Sequence, residues 1–301
     1  MTYPLAYPLV LSGATSDARN GGGSHAVSPT KDLRPSSRLS ARKLAAISGR
    51  LSARDREVLE TVSRFRVMSG EQLQRLYWTE GSPPTRARLA RHGLGRLRQL
   101  GVLAPLDRRV GGVRAGSRGL SFAVGLVGQR LLAGGSKRRV RRPYTPGERY
   151  LAHTLAVAGL YVELVEAQRW GLADLLAFDP EPGCWRPYLG PYGARAVLTP
   201  DAYLELGVGN YTFSWQLELD MATESLSTIE RKARRHLDYY RSGDGRRTHG
   251  VSPRVVWIVP DGLHAEAVQA ALDRLPAEGK RLFAVAARPE AVALLTAGAR
   301  T

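Results

Sequence analysis

Cysteine is almost missing from this chain: Cys184 stands alone among 301 residues. That excludes an intramolecular disulfide and any cysteine-rich zinc site. Lysine is nearly as scarce, with five residues against 39 arginines. No segment approaches the roughly 20 unbroken apolar residues needed to span a bilayer. The opening stretch MTYPLAYPLVLSG has no basic region, and two prolines interrupt its apolar run, so no export signal is expected and the expected location is cytoplasmic. A phosphate-binding loop of the Walker type is missing, which argues against an ATPase. No glycine-framed nucleophile motif marks a serine hydrolase.

Acidic residues are scarce in only one half. Residues 1–150 carry 28 Lys and Arg against 9 Asp and Glu, whereas residues 151–301 carry 16 against 18. The net charge of +17 therefore sits entirely in the first half. An excess confined to one region suggests that this region meets a polyanion while the other has different work. A compositional bias toward arginine accounts for Arg in place of Lys. It does not account for an excess that stops near residue 150.

Residues 1–48 are rich in Gly, Ser, Pro and Arg with no helical or strand period, and read as a disordered basic arm. From Leu51 the pattern changes. Ser52 can cap a helix carrying Val58, Leu59, Val62 and Phe65. Ser69 and Gln72 form a capping box ahead of Leu73, Leu76 and Tyr77. Ser82-Pro83 opens a third helix, with Leu89, Leu97 and Leu100 on one face and Gly101 as its stop. Two β-like runs follow, 102–106 and 120–127, around the loop DRRVGGVRAGSRG. Three helices and then a hairpin with a basic loop is the order of a winged helix-turn-helix, over 49–133. Residues 134–146 (GGSKRRVRRPYTP) read as a basic linker crossed by few contacts. In 147–301 a long buried helix at 147–168 precedes strands at 173–178, 196–206 and 211–220. Then come a helix at 224–241, a strand at 254–259, a helix at 262–274, a strand at 281–286 and a terminal helix from Pro289. This alternation implies an α/β sheet with helices on its faces, so the chain is α+β overall.

On the third helix Arg88, Arg91 and Arg98 lie opposite the leucines, and Arg86 on the same helix is a further candidate contact. Guanidinium groups there can reach phosphates or the O6/N7 edge of guanine in a major groove. Arg108, Arg109, Arg114 and Arg118 on the wing can reach phosphate or the minor groove. Double-stranded DNA is the partner expected from this pattern. A solvated helix in an arginine-biased chain is the alternative. Gly93 and Gly95 are each expected to weaken this helix by about 1 kcal/mol relative to Ala.

The second half carries a carboxylate constellation. Asp201 opens one strand, and a second strand ends in Glu218-Leu-Asp220. Alternation puts Glu218 and Asp220 on one face, and Asp201 can join them if the two strands are neighbours. Three carboxylates repel one another unless a cation sits among them. Hard oxygen ligands favour Mg²⁺ or Mn²⁺, and such a metal can activate water against a phosphodiester. Asp201 followed by Glu218-x-Asp220 is similar to the metal-binding core of the PD-(D/E)XK nuclease superfamily, in which an acid on one strand is followed by acid-x-Lys on the next. More closely, PD…LELDMATESLSTIERKARRHLDYY over 200–240, behind a winged helix, resembles the replication-relaxation proteins of actinobacterial plasmids and phages. The resemblance spans about residues 50–260. It implies a nuclease-like α/β domain at 147–301 and a role in the replication or DNA relaxation of a mobile element. The position that should be Lys is Asp220, so the lysine would have to come from the next helix, as Lys232, aligned with Ser225, His236 and Tyr239. Glu163 on the long helix is a further candidate ligand. His153 and His249 have no partner at metal-ligand spacing and read as ordinary residues.

Three functions remain open on these grounds. The first is a DNA-binding factor of plasmid or phage replication, associated with the bacterial nucleoid or plasmid and with replication or relaxation proteins. The second is a Mg²⁺- or Mn²⁺-dependent endonuclease or nickase with Asp201, Glu218, Asp220 and Lys232 as its catalytic set. The third is a transcriptional regulator that forms a homodimer through the nuclease-like domain.

Overall fold

The computed structural model describes residues 39–106, 120–134, 140 and 146–297. Residues 39–301 form one compact unit. Among the described residues there are eleven α-helices and a five-stranded mixed sheet. None of those helices is long and apolar enough to cross a membrane.

The first part contains α1 (Ala41–Gly49), α2 (Ala53–Phe65), β1 (Val67–Ser69), α3 (Gly70–Tyr77), α4 (Pro83–Gln99), β2 (Leu103–Pro105), β3 (Ser121–Val124) and α5 (Leu126–Leu132). Local chemistry sets the starts. Ser52 and Ser69 each accept the amide of the third helical residue, and Asp55 and Gln72 reach back to the cap amide, which satisfies two otherwise unpaired donors at each end. Gly101, with φ +69, turns the chain out of α4 into β2, a conformation that side chains resist. The three short strands form an antiparallel sheet in the order β1-β3-β2.

Several expectations change here. Residues 41–48 are helical rather than part of a structureless arm, because Ser40 caps α1 through the Lys43 amide and Ile47 is buried. The run 120–127 is strand only to Val124 and then becomes α5. Leu89 is half-exposed instead of sharing the buried face, which is formed by Ala90, Leu94 and Leu97. Helical geometry decides this: Ala90, Leu94 and Leu97 follow the i, i+4, i+7 spacing of one face.

The second part runs α6 (Glu148–Arg169), β4 (Asp174–Pro180), β5 (Arg186–Leu189), β6 (Arg195–Leu198), β7 (Ala202–Val208), β8 (Tyr211–Leu219), α7 (Leu226–Ser242), α8 (Asp244–His249), β9 (Arg254–Val259), α9 (Gly262–Leu272), α10 (Glu278–Leu282), β10 (Phe283–Ala287) and α11 (Ala291–Thr296). The large sheet has the order β10-β9-β8-β7-β4. β4, β7 and β8 are antiparallel, whereas β8, β9 and β10 run parallel. The single strand expected over 196–206 is two strands. Pro200, with no amide hydrogen to offer a ladder, separates β6 from β7, and β6 pairs instead with β5 in a hairpin of its own. Residues 278–282 are helical, so β10 begins only at Phe283.

Trp215, Leu217 and Leu219 face a core shared with α6 and α11, while Val255, Trp257 and Val259 pack under α7 and α9. Both faces of the sheet are thus covered, as parallel pairing requires.

The two parts share this core. Val58, Leu73, Leu97 and Phe122 belong to the same cluster as Leu160, Trp215, Leu217 and Leu295. Helix α6 is the brace. Phe65 lies 4.8 Å from Tyr161, which lies 5.3 Å from Phe178. Gln72 Nε2 donates to Leu155 O at 2.7 Å, and Arg75 pairs with Glu166. Arg169 donates to the carbonyls of Arg75 and Leu76 that end α3. Many contacts therefore join the two parts, where few were expected to cross the 134–146 segment. A helix apolar on several sides can be buried from two directions at once.

Candidate functional site

Two charged regions stand out, and they are built differently. On α4 the exposed face carries Arg88, Arg91 and Arg98. Their spacing of three and seven residues stacks them along one side. Among the described residues no carboxylate pairs with any of the three. Arg96, on the inner side of the same helix, does have a partner: it bridges to the buried Asp55, and the side-chain bonds from Arg96 and Ser52 hold that carboxyl below its usual range although burial pushes the other way. Arg86 is half-buried, with its Nε enclosed. Gly93 is required rather than merely tolerated, because a Cβ there would lie 2.6 Å from the Trp78 ring. At Gly95, on the arginine side, a Cβ would meet nothing within 4 Å. Arg108, Arg109, Arg114 and Arg118 lie outside the described residues.

The second region lies at one end of the large sheet. Ala202 is in register with Leu217, so Asp201 falls opposite Glu218. Both carboxylates are buried. Lys232 Nζ donates to Glu218 Oε2 at 2.9 Å and to Glu224 Oε1 at 2.8 Å. His236 Nε2 lies 2.9 Å from the other Glu218 oxygen, and its Nδ1 lies 2.9 Å from Gln216 Oε1. Asp201 accepts the Leu219 amide at 2.7 Å and faces His153 Nε2 at 3.1 Å.

Electrostatics follow from these contacts. Burial works to raise the Glu218 pKa, but the His236 bond and the Lys232 charge outweigh it, and the net shift is downward. Burial works to lower the Lys232 pKa, but Glu218 and Asp201 outweigh it, and the net shift is upward. The bond to Asp201 raises His153.

The structure thus brings Asp201, Glu218 and Lys232 together. It gives Asp220 another task. β8 ends at Leu219, and the Asp220 Oδ1 accepts the amides of Thr223 and Glu224 at 3.0 and 3.2 Å, fixing the turn that leads into α7. Glu163 is far from this chemistry in its bonding: it holds Arg288 through two bonds of 2.7 and 2.8 Å. Sequence reasoning passed over His153. It also passed over Glu224, which anchors the free side of Lys232.

A divalent cation does not fit the donors as they stand. Among the described residues no group of three or more His, Cys, Asp or Glu side chains is arranged to hold one. Each Glu218 oxygen already faces a side-chain nitrogen, and Asp201 is occupied by His153 and a backbone amide. Side-chain nitrogens of Lys232, His236 and His153 stand where the metal was expected.

Residues 59–255 match the sequence family described as Replication-relaxation. No curated protein and no solved structure matches the chain.

Proposed function

Because the chain belongs to the replication-relaxation family, we propose that it is a DNA-binding factor of mobile-element replication whose α2–α4 and β1–β3 form a winged helix. The supporting observation is the stripe of Arg88, Arg91 and Arg98. These are exposed guanidinium groups on the last of three helices, with no ion-pair partner among the described residues. The order helix, strand, helix, helix, strand, strand supports the same reading. In it, α4 enters the major groove and its arginines contact phosphates and guanine edges.

Binding of labelled duplex DNA across a salt series tests this. Affinity should fall steeply, with a log–log slope of about −0.9 for each phosphate neutralised. Replacing Arg88, Arg91 and Arg98 together with Ala should weaken binding by at least about tenfold and reduce that slope. Salt-independent affinity, or an unaffected triple variant, refutes the reading.

The second half is nuclease-like in this proposal. The acid at the head of β7, the acid near the end of β8 and the lysine bonded to it support that. Their engagement by His153, His236 and Lys232 favours a non-cleaving scaffold over an endonuclease. Purified protein incubated with supercoiled plasmid and Mn²⁺, beside an Asp201→Ala/Glu218→Ala variant, decides between them. Cleavage that the double variant loses would restore the nuclease reading.

A further inference from the structure

The β5–β6 hairpin has no role so far. It leaves the large sheet between β4 and β7, at the end of the strands that holds Asp201. Its base is pinned there: the Glu181 amide donates to Asp201 O at 2.9 Å, and Cys184 Sγ to Pro200 O at 3.0 Å. One face packs down, with Tyr188 in edge contact with Tyr239 of α7 at 5.4 Å and Leu198 beside them. The other face carries Leu189 and Val197, 60% and 51% exposed.

At the tip, Tyr192 is fully exposed and held at φ 60 between Pro191 and Gly193. A left-handed backbone costs a tyrosine free energy, and no packing here recovers it. Residues 182–200 themselves contain Arg186 and Arg195 and no carboxylate; the carboxylates nearby are Asp244, which accepts the Leu189 amide, and Asp238 near Tyr188 on the packed face. Arg195 is exposed, and so are Arg231 and Arg235 on the neighbouring α7. No ion pair among the described residues engages these three.

We propose that this hairpin is a second DNA contact, in which Tyr192 stacks on an unpaired or unstacked base while Arg195 and Arg235 hold the adjoining phosphates. An aromatic platform flanked by guanidinium groups is the composition that takes unpaired bases without sequence preference. A double helix at α4 is read by its groove, so the two surfaces divide the work: paired DNA at α4, opened DNA at the hairpin. The proposal rests on the DNA-binding reading above and extends it.

The test compares two oligonucleotide duplexes of equal length, one fully paired and one with a short central bubble, by fluorescence anisotropy with the full chain. The intact protein should bind the bubble duplex about tenfold more tightly, the size expected for stacking of one or two bases. Tyr192→Ala should remove that preference and leave affinity for paired DNA unchanged, whereas Tyr192→Phe should retain it. Arg195→Ala should weaken bubble binding at low salt more than at high salt. Because both side chains are exposed and unpaired, thermal melting should not move.

Loss of all binding in the Arg88/Arg91/Arg98 variant, with the bubble preference untouched by Tyr192→Ala, would overturn the hairpin proposal and keep the α4 reading. Binding that neither set affects would overturn both. If the protein sediments as a dimer that Val197→Asp converts to a monomer, with DNA affinities unchanged, the surface belongs to a second copy and the proposal fails.

Discussion

The α4 stripe and the Glu218 cluster are both rich in charge, yet one leaves its charge unspent and the other uses it up. Arg88, Arg91 and Arg98 face solvent with no carboxylate paired to them among the described residues. Glu218, equally charged, is 3% exposed with a cation on one oxygen and an imidazole on the other. Exposed, uncompensated charge is cheap to maintain and available to a partner. Buried, compensated charge is costly to desolvate and stays only while each partner stays. Charged side chains therefore give internal order in one place and, under the proposed function, recognition in the other.

The largest expected effect breaks the buried cluster. Glu218→Ala leaves Lys232 and His236 facing an uncharged methyl, and truncating one member of such a buried group typically costs about 3–5 kcal/mol. Urea denaturation should show that loss. DNA affinity measured at low temperature, where the variant is still folded, should hardly change. The arginine triple variant should show the reverse, with stability within about 0.5 kcal/mol of the parent. A Glu218→Ala protein as stable as the parent would mean that the cluster holds nothing together.

A smaller effect separates the two glycines of α4. Gly93→Ala forces a Cβ against Trp78 and should destabilise by about 1–3 kcal/mol. Gly95→Ala meets open space and should stabilise the helix by roughly 0.5–1 kcal/mol. Thermal melts of the pair measure both. Equal shifts would show that the Trp78 contact does not matter.

The smallest effect is on pH. His153 has a raised pKa in the folded protein, so its contribution is fully present below the ordinary imidazole value of about 6.5 and is lost as pH rises through the raised value. Glu218 has a lowered pKa, so its contribution is present above the ordinary carboxylate value and is lost as pH falls through the lowered one. His153→Asn should therefore cost on the order of 1 kcal/mol in mildly acid solution, and the difference from the parent should shrink toward alkaline pH. A difference that is flat with pH would show that the His153–Asp201 pair carries no charge coupling.

Much of this was legible in the residues before any coordinates. The caps at Ser52 and Ser69, the stop at Gly101 and the long helix at 148–169 follow from local rules, which act over a few residues and leave a plain sequence trace. The neighbourhood of Asp201 and Glu218 was readable from alternation and from the short turn between β7 and β8. The occupants of that neighbourhood were not. His153 comes from a helix 48 residues earlier, and nothing local marks it as the partner of Asp201. Gly93 was misread as a weakness because Trp78, which needs its space, lies on another element. The hairpin at 186–198 was hidden by treating Pro200 as part of a strand.

Helix α6 has a consequence for what the molecule can measure. Its 22 residues at 1.5 Å each make a rod of about 33 Å. One flank is welded to α3 and the other to the large sheet, so the α4 stripe and the β5–β6 tip keep a constant offset. If both surfaces take DNA as proposed, the protein is a gauge and not a pair of tethered hands. A footprint on DNA would then have one length, and half a turn of extra sequence between the two contacted segments should abolish one contact rather than stretch the span.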